Sequence, residues 1–191
     1  MKKVFISISA VIMVVVIALI ISLSQIKKKV TLEYDNPSVI RVFDESTNPT
    51  KNEGYKSSDE QYSEILKKLN NMSKMTLIDR LLKLKTLDVK LELSKDGTFA
   101  KYSTDLKSKN LVVEMDFAEE QDLVVYDNGH TRTISFWCLA FVVKKDKGLT
   151  DIVVYYSTTN SSDARDESYA KCEPILIKGY ANKLIEFVDT L

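Results

Sequence analysis

The sequence is poor in the residues that mark fibrous, low-complexity and disulfide-framework proteins. It has five glycines, three prolines, two cysteines and one histidine in 191 residues. Collagen-like and low-complexity chains need far more glycine and proline, and small disulfide scaffolds need more cysteine. Hydrophobic residues make up 45% of the chain and the formal net charge is zero, which also excludes a wholly disordered polar chain. The composition is that of a folded protein.

The balanced charge hides an uneven distribution. Residues 1–29 carry five lysines and no acid, which leaves a net charge of −5 on residues 30–191. A nucleic-acid-binding domain needs a clustered positive surface that neutralises phosphates. We therefore expect no nucleic acid partner.

The N-terminus contains the longest apolar run. Val4–Leu23 is 20 residues long and lacks charge, glycine and proline. A helix of that length spans about 30 Å, the thickness of the hydrocarbon core of a bilayer. The sequence therefore predicts a basic tail over 1–3, a transmembrane helix over 4–23 and a basic tether over 24–29, which ends in Lys27–Lys29.

Two alternatives remain open for this segment. The tripeptide Ser22-Leu23-Ser24 also fits the cleavage site of a signal peptide, although the length of the run and the lysines behind it favour an uncleaved anchor. The lysines on its two sides nearly balance, so the positive-inside rule barely favours either orientation. The order of basic tail, one span and folded domain favours an extracytoplasmic domain, and a cytoplasmic domain is the alternative.

Residues 30–191 are predicted to form one α+β domain, with a mainly antiparallel sheet packed against two or three helices. Apolar residues spaced as on one helix face indicate a helix over Ser58–Met72, and Ser58 and Gln61 have the spacing of a capping box. A second helix is predicted over Tyr180–Leu191, with Tyr180 on its buried face. The polar stretch Asp44–Ser57 is predicted to be a loop.

Strand predictions rest on alternation and turn residues. Period-2 alternation marks strands over 87–93 and 113–117, and Asn128-Gly129 is the strongest hairpin signal in the chain. Thr131–Val143 has apolar residues on both faces, as expected of a central strand that is covered on both sides. Short extended segments are also predicted near 31–34, 39–43 and 152–156.

Few residues suggest chemistry. A single histidine, His130, cannot build a multi-histidine metal site, and no motif places a nucleophile beside it. Cys138 and Cys172 are the only cysteines. If the domain is extracytoplasmic they are candidates for a disulfide that would contribute about 3–4 kcal/mol by closing its loop. The alternative is a small apolar core residue and a loop thiol. We expect no catalytic site, no cofactor and no metal.

Acidic and aromatic groups offer weaker signals. Two acidic stretches are candidates for Ca²⁺ but lack the ligand spacing of an EF-hand loop, so solvated surface is the simpler interpretation. These stretches are Glu114, Asp116, Glu119, Glu120 and Asp122, and then Asp163, Asp166 and Glu167. Five residues are candidates for a ligand-facing concave sheet surface, and core packing is the alternative for the aromatic ones. They are Tyr102, Tyr126, His130, Trp137 and Tyr155.

The order of these features resembles a group of small uncharacterised Gram-positive membrane or exported proteins. The resemblance is carried by the N-terminal span, the helix near 59–71, the apolar-acidic strand 111–117 and the hairpin 119–129. It implies no activity. The chain is also similar to nuclear-transport-factor-like domains on single-span proteins such as type IV secretion assembly factors, although those begin with helices.

Together these features predict a membrane-anchored extracytoplasmic protein that acts as a non-catalytic binding or assembly module. Its expected partners are the lipid bilayer, through the N-terminal helix, and a protein at the membrane. Two alternatives have different consequences. One is a cell-envelope hydrolase that uses His130, Glu114 or Asp116 in a sheet-lined pocket, and the other is a cytoplasmic regulatory partner of a membrane complex.

Overall fold

The computed structural model describes residues 11–18, 30–44, 51–74, 86–88, 110–127, 130–145 and 148–191. Residues 11–18 are helical. The strands of the domain are β1 (Val30–Thr31), β2 (Val39–Asp44), β3 (Lys51–Lys56), β4 (Thr86–Asp88), β5 (Asn110–Asp127), β6 (His130–Lys144), β7 (Leu149–Ser157) and β8 (Ile175–Tyr180). The helices that accompany them are α1 (Glu60–Ser73), α2 (Arg165–Ala170) and α3 (Asn182–Asp189).

The eight strands that the structure describes join one antiparallel sheet. Their order is β3-β2-β5-β6-β7-β8-β4, and β1 pairs with the far end of β5. This arrangement confirms the predicted α+β class. It also places β2 beside β5, which follows much later in the chain.

The longest pairing is the β5–β6 hairpin. Asp127 pairs with His130, as the Asn128-Gly129 hairpin requires, although residues 128 and 129 themselves lie outside the described part. The register shifts between Asp116 and Gln121, where extra residues of β5 face a single residue of β6. Such a bulge bends the strand and increases its twist.

The bulge corrects one sequence prediction. Strict alternation predicts that Ile134 and Phe136 share a face with Cys138. Instead Phe136 joins Leu139 and Phe141 in the main core, because the alternation is broken at the bulge. Trp137 and Cys138 then lie on the opposite face.

One face of the sheet carries the main core beneath α1 and α3. The buried contacts of α1 come from its predicted stripe, and those of α3 come from its inner face. These residues are Tyr62, Ile65, Leu66, Leu69 and Met72 on α1, and Leu184, Ile185 and Val188 on α3.

Local details differ from the sequence predictions at three places. The predicted loop 44–57 contains β3, an edge strand held to β2 by backbone pairing with only Tyr55 buried. Helix α1 begins after Asp59, whose carboxylate accepts a hydrogen bond from the Lys56 amide, so the predicted capping box at Ser58 does not form. Tyr180 ends β8 and is 49% exposed, so it is not part of a helical buried face.

In the part of the chain that the structure describes, no helix combines the length and the apolarity needed to cross a membrane.

Candidate functional site

The five residues predicted to face a ligand are only partly brought together. Tyr102 lies outside the described residues. Tyr126 and His130 occupy the tip of the β5–β6 hairpin, and their side chains are also outside the described part. Trp137 and Tyr155 pack on the second face of the sheet, opposite the main core. Burial raises the pKa of Tyr155 to about 12, as expected of a core tyrosine.

The second face contains a buried ionic cluster, which we define as Arg41, Glu114, Asp116, Arg165 and Tyr169. Arg41 on β2 lies directly across from Glu114 on β5, and its Nη1 donates to Glu114 Oε1 over 2.9 Å. Helix α2 completes the cluster by contributing Arg165 and Tyr169. Arg165 Nη1 lies 2.6 Å from Glu114 Oε1 and 3.1 Å from Asp116 Oδ1, and the hydroxyl of Tyr169 donates to Glu114 Oε2 over 3.1 Å.

Burial and charge act together on the groups that α2 contributes. Burial, and then the charge of Glu114, raise the pKa of Tyr169 well above its ordinary value, so its hydroxyl remains a donor. Burial by itself would lower the pKa of Arg165, but the surrounding anionic groups, with Glu114 first, outweigh it and raise that pKa. The guanidinium therefore remains charged between its two carboxylates.

This arrangement holds α2 against the sheet. The carboxylate of Glu114 already accepts hydrogen bonds from Arg41, Arg165 and Tyr169. Two guanidinium groups also repel a cation, so Ca²⁺ binding by Glu114 and Asp116 is disfavoured. The cluster is suited to fixing an element in place rather than to moving a proton.

The basic members of the cluster were missed by the sequence analysis, although a signal was available. Alternation along β5 places Glu114 and Asp116 on the same face as the buried Val112. A carboxylate on a covered face needs a buried cationic partner, and only four arginines exist in the chain. The sequence does not reveal which of the four are used.

The remaining acidic candidates lie at the surface. Glu119 and Glu120 are exposed at the bulge of β5, and exposed Asp122 accepts a hydrogen bond from the Ser135 hydroxyl over 2.8 Å. Asp163, Asp166 and Glu167 are exposed in and before α2.

Both cysteines are free thiols, so the structure does not contain the disulfide predicted between Cys138 and Cys172. The two side chains have different surroundings. The Sγ atom of Cys138 lies 3.2 Å from Asp116 Oδ1, and burial followed by this carboxylate raises the pKa of the thiol. Cys172 follows α2, and burial raises its pKa to about 12. Neither thiol is activated as a nucleophile.

A separate groove of about 700 Å³ lies on the helical side of the domain. It is bounded by the second half of α1, the end of β8 and the start of α3. The amide of Gly148 donates to Asn182 Oδ1 over 3.1 Å, which ties the start of α3 to the turn before β7. Its polar lining includes four lysines and one acid, namely Lys67, Lys68, Lys74, Lys183 and Glu64. We call this feature the basic groove.

The basic groove was also missed by the sequence analysis. Its lysines come from two helices that are more than 100 residues apart in the chain. Lys67 and Lys68 lie on the predicted helix, but Lys74 follows the end of α1, so helical spacing did not indicate the set.

Comparison of the chain with protein-family models, with curated proteins and with solved structures finds no match.

Proposed function

We propose that this chain is a membrane-tethered protein with an extracytoplasmic domain that acts as a non-catalytic binding module. The observation that carries the proposal is the apolar surface of residues 11–18. Seven consecutive residues of this helix, 11–17, have side chains that are 46–66% exposed. An apolar surface of this kind is stable only when lipid or protein covers it.

The sequence around this helix supports lipid as the cover. Residues 11–18 lie within Val4–Leu23, which has 14 Val, Ile, Leu or Phe residues. At roughly −0.3 to −0.6 kcal/mol each, these side chains favour insertion by about 4–8 kcal/mol. The tether then leads directly into β1, so the domain is held beside the bilayer, where weak contacts gain effective concentration.

The described side chains support binding rather than catalysis. The candidate carboxylates Glu114 and Asp116 are engaged by arginines. The basic groove, in contrast, is open and lined by side chains suited to recognition. A hydrolase that uses His130 would need a polar partner at the hairpin tip.

Cell fractionation tests the tether. The full chain is expected in the membrane fraction and to resist alkaline carbonate extraction, whereas Val14→Arg with Val15→Arg should release part of it, since each central arginine costs about 2.5–3.5 kcal/mol. Full-length chain that is soluble without detergent would refute the proposal.

Two further measurements address the alternatives. External protease should digest the domain in spheroplasts, and a protected domain would instead indicate the cytoplasmic regulatory function. The mass of the mature chain separates an intact anchor from cleavage near Ser24.

A further inference from the structure

We propose that the basic groove binds a short acidic peptide segment, with apolar residues among its acids, from a partner protein. The inference deepens the proposed binding function, and its placement relative to the membrane rests on that proposal. It starts from the charge of the groove. Lys67 and Lys68 both lie 3.6 Å from Glu64, so one carboxylate is shared by two ammonium groups. With Lys74 and Lys183 the lining residues that the structure describes have a formal net charge of +3, in a domain whose net charge is −5.

The spacing of the lysines favours a ligand with several separated anionic groups. Lys67 lies about 9 Å along the axis of α1 from its last residue, Ser73, and Lys74 follows directly. A peptide in the polyproline II conformation has three residues per turn and advances about 3.1 Å per residue, so acids three residues apart share one face and match this distance. Lysine also offers a point charge on a flexible stem, rather than the rigid fork with which arginine binds one phosphate.

The apolar part of the lining favours a peptide over a purely ionic ligand. Met72 and Leu184 form buried parts of the lining. Tyr180 is 49% exposed, and among the described residues outside 11–18 no other large hydrophobic side chain is as open. Exposed aromatic rings of this kind are enriched at protein interfaces. Inorganic phosphate would leave the ring of Tyr180 uncovered, whereas a Leu or Phe side chain of an acidic peptide would cover it.

The position of the groove favours a ligand other than the headgroups of a membrane that holds the tether. The tether enters the sheet at β1, which pairs with Val124 and Val125 near the hairpin tip. The groove begins at Tyr180, which pairs with Leu149 at the opposite end of the sheet. From Arg132 to Val143 alone, β6 covers about 35 Å, so β1 and the groove lie at opposite ends of the sheet.

Fluorescence anisotropy with the purified full chain in neutral detergent tests the proposal. The probe is a labelled peptide with Glu at every third position and Leu or Phe between them. Its matched control has Gln in place of each Glu. We expect the Glu peptide to bind, the Gln peptide to bind at least tenfold more weakly, and binding to weaken between 50 and 500 mM salt.

Two charge-matched variants locate the binding site. Lys67→Gln with Lys74→Gln and Lys183→Gln should weaken binding of the Glu peptide at least tenfold. The control, Lys56→Gln with Lys171→Gln and Lys178→Gln, removes three exposed lysines outside the groove and should change it less than twofold. Circular dichroism checks folding. Tyr180→Ala, at an exposed position, should weaken binding severalfold without changing the net charge.

Several results would overturn the inference. Equal loss in both triple variants would mean general charge attraction, and no loss in the groove variant would place the peptide elsewhere. Displacement of the peptide by inorganic phosphate or by short-chain phosphatidylglycerol at equal concentration would assign the groove to phosphate groups. Concentration-dependent self-association that the Glu peptide abolishes would assign it to a second copy. None of these measurements depends on membrane attachment, so the inference about the groove and the proposed tether can be refuted independently of each other.

Discussion

Removing the charge of Glu114 should destabilise the domain far more than removing the charge of a surface glutamate. Glu114 and Arg165 have side chains that are only 11% exposed, and the hydroxyl of fully buried Tyr169 also depends on Glu114. Removing one partner of a buried ion pair costs about 3–5 kcal/mol. Glutamine keeps the shape of the glutamate side chain and one acceptor oxygen, and Asp116 still faces Arg165. We therefore expect Glu114→Gln to lower the free energy of unfolding by about 2–4 kcal/mol. Arg41 is 36% exposed and adds little to this figure.

Urea unfolding of the full chain in detergent, followed by fluorescence, measures this cost. Trp137 is the only tryptophan and packs on the same sheet face as the cluster, which makes it an internal probe. The matched control is Glu173→Gln, because Glu173 is 61% exposed and pairs with Arg132 at the surface. That change should cost no more than about 1 kcal/mol and should vanish in high salt.

A double-mutant cycle with Arg165→Met isolates the pair. We expect a coupling free energy of about 1–3 kcal/mol between Glu114 and Arg165. If Glu114→Gln costs no more than Glu173→Gln, or if the coupling is near zero, the cluster does not hold α2 and the reasoning fails.

Three other measurements follow from the structure. Denatured chain kept free of reductant should show two reactive thiols, and finding none would mean that Cys138 and Cys172 form the disulfide. In the native chain at pH 8, the thiolate fraction of Cys172 should be about a thousandfold below that of a thiol of ordinary pKa. The part of the free energy of unfolding that is linked to Tyr155 and Cys172 should be full below about pH 9 and be lost as pH rises toward 12, since both groups have raised pKa values and the unfolded chain releases those protons first. Tyr155→Phe should reduce the slope of stability against pH in this range, and an unchanged slope would contradict the prediction. Leu69→Ala, at a fully buried site in α1, should cost about 2–5 kcal/mol by calorimetry or urea unfolding, whereas exposed Asn70→Ala should cost little; similar losses would contradict the packing.

Helices α1 and α3 and the long hairpin could be predicted because their signals are local, whereas the polar segment that contains α2 was not predicted to be helical. The apolar stripe of α1 repeats at helical spacing, and Asn128-Gly129 specifies a hairpin through its positive-φ preference. Segments that form strands mainly by pairing with a neighbouring strand were harder to predict from the sequence. β3 is polar and becomes a strand only because β2 offers a pairing edge, and β8 was not predicted although Ile175 and Ile177 alternate into the core.

The candidate sites depend on contacts that no local pattern contains. The ionic cluster joins Arg41, Glu114 and Arg165, which are 51 or more residues apart in sequence. The sequence indicated which carboxylates lie on a buried strand face, but not which cations neutralise them. The bulge in β5 also prevented a correct prediction of the sheet face on which Trp137 lies. A shifted register moves a residue to the other face of the sheet, and the sequence shows no sign of this.

The position of β1 at the N-terminal end of the sheet-forming chain has a mechanical consequence. β1 contributes only two residue pairs to the sheet, and seven residues separate it from β2. Tension on the N-terminal segment would therefore detach β1 first and would then load the residues before β2, where Leu32 and Tyr34 pack against the core and the amide of Asp35 donates to Gln121 Oε1. Pulling forces would thus reach the core through residues 32–35 once the two pairs of β1 had separated.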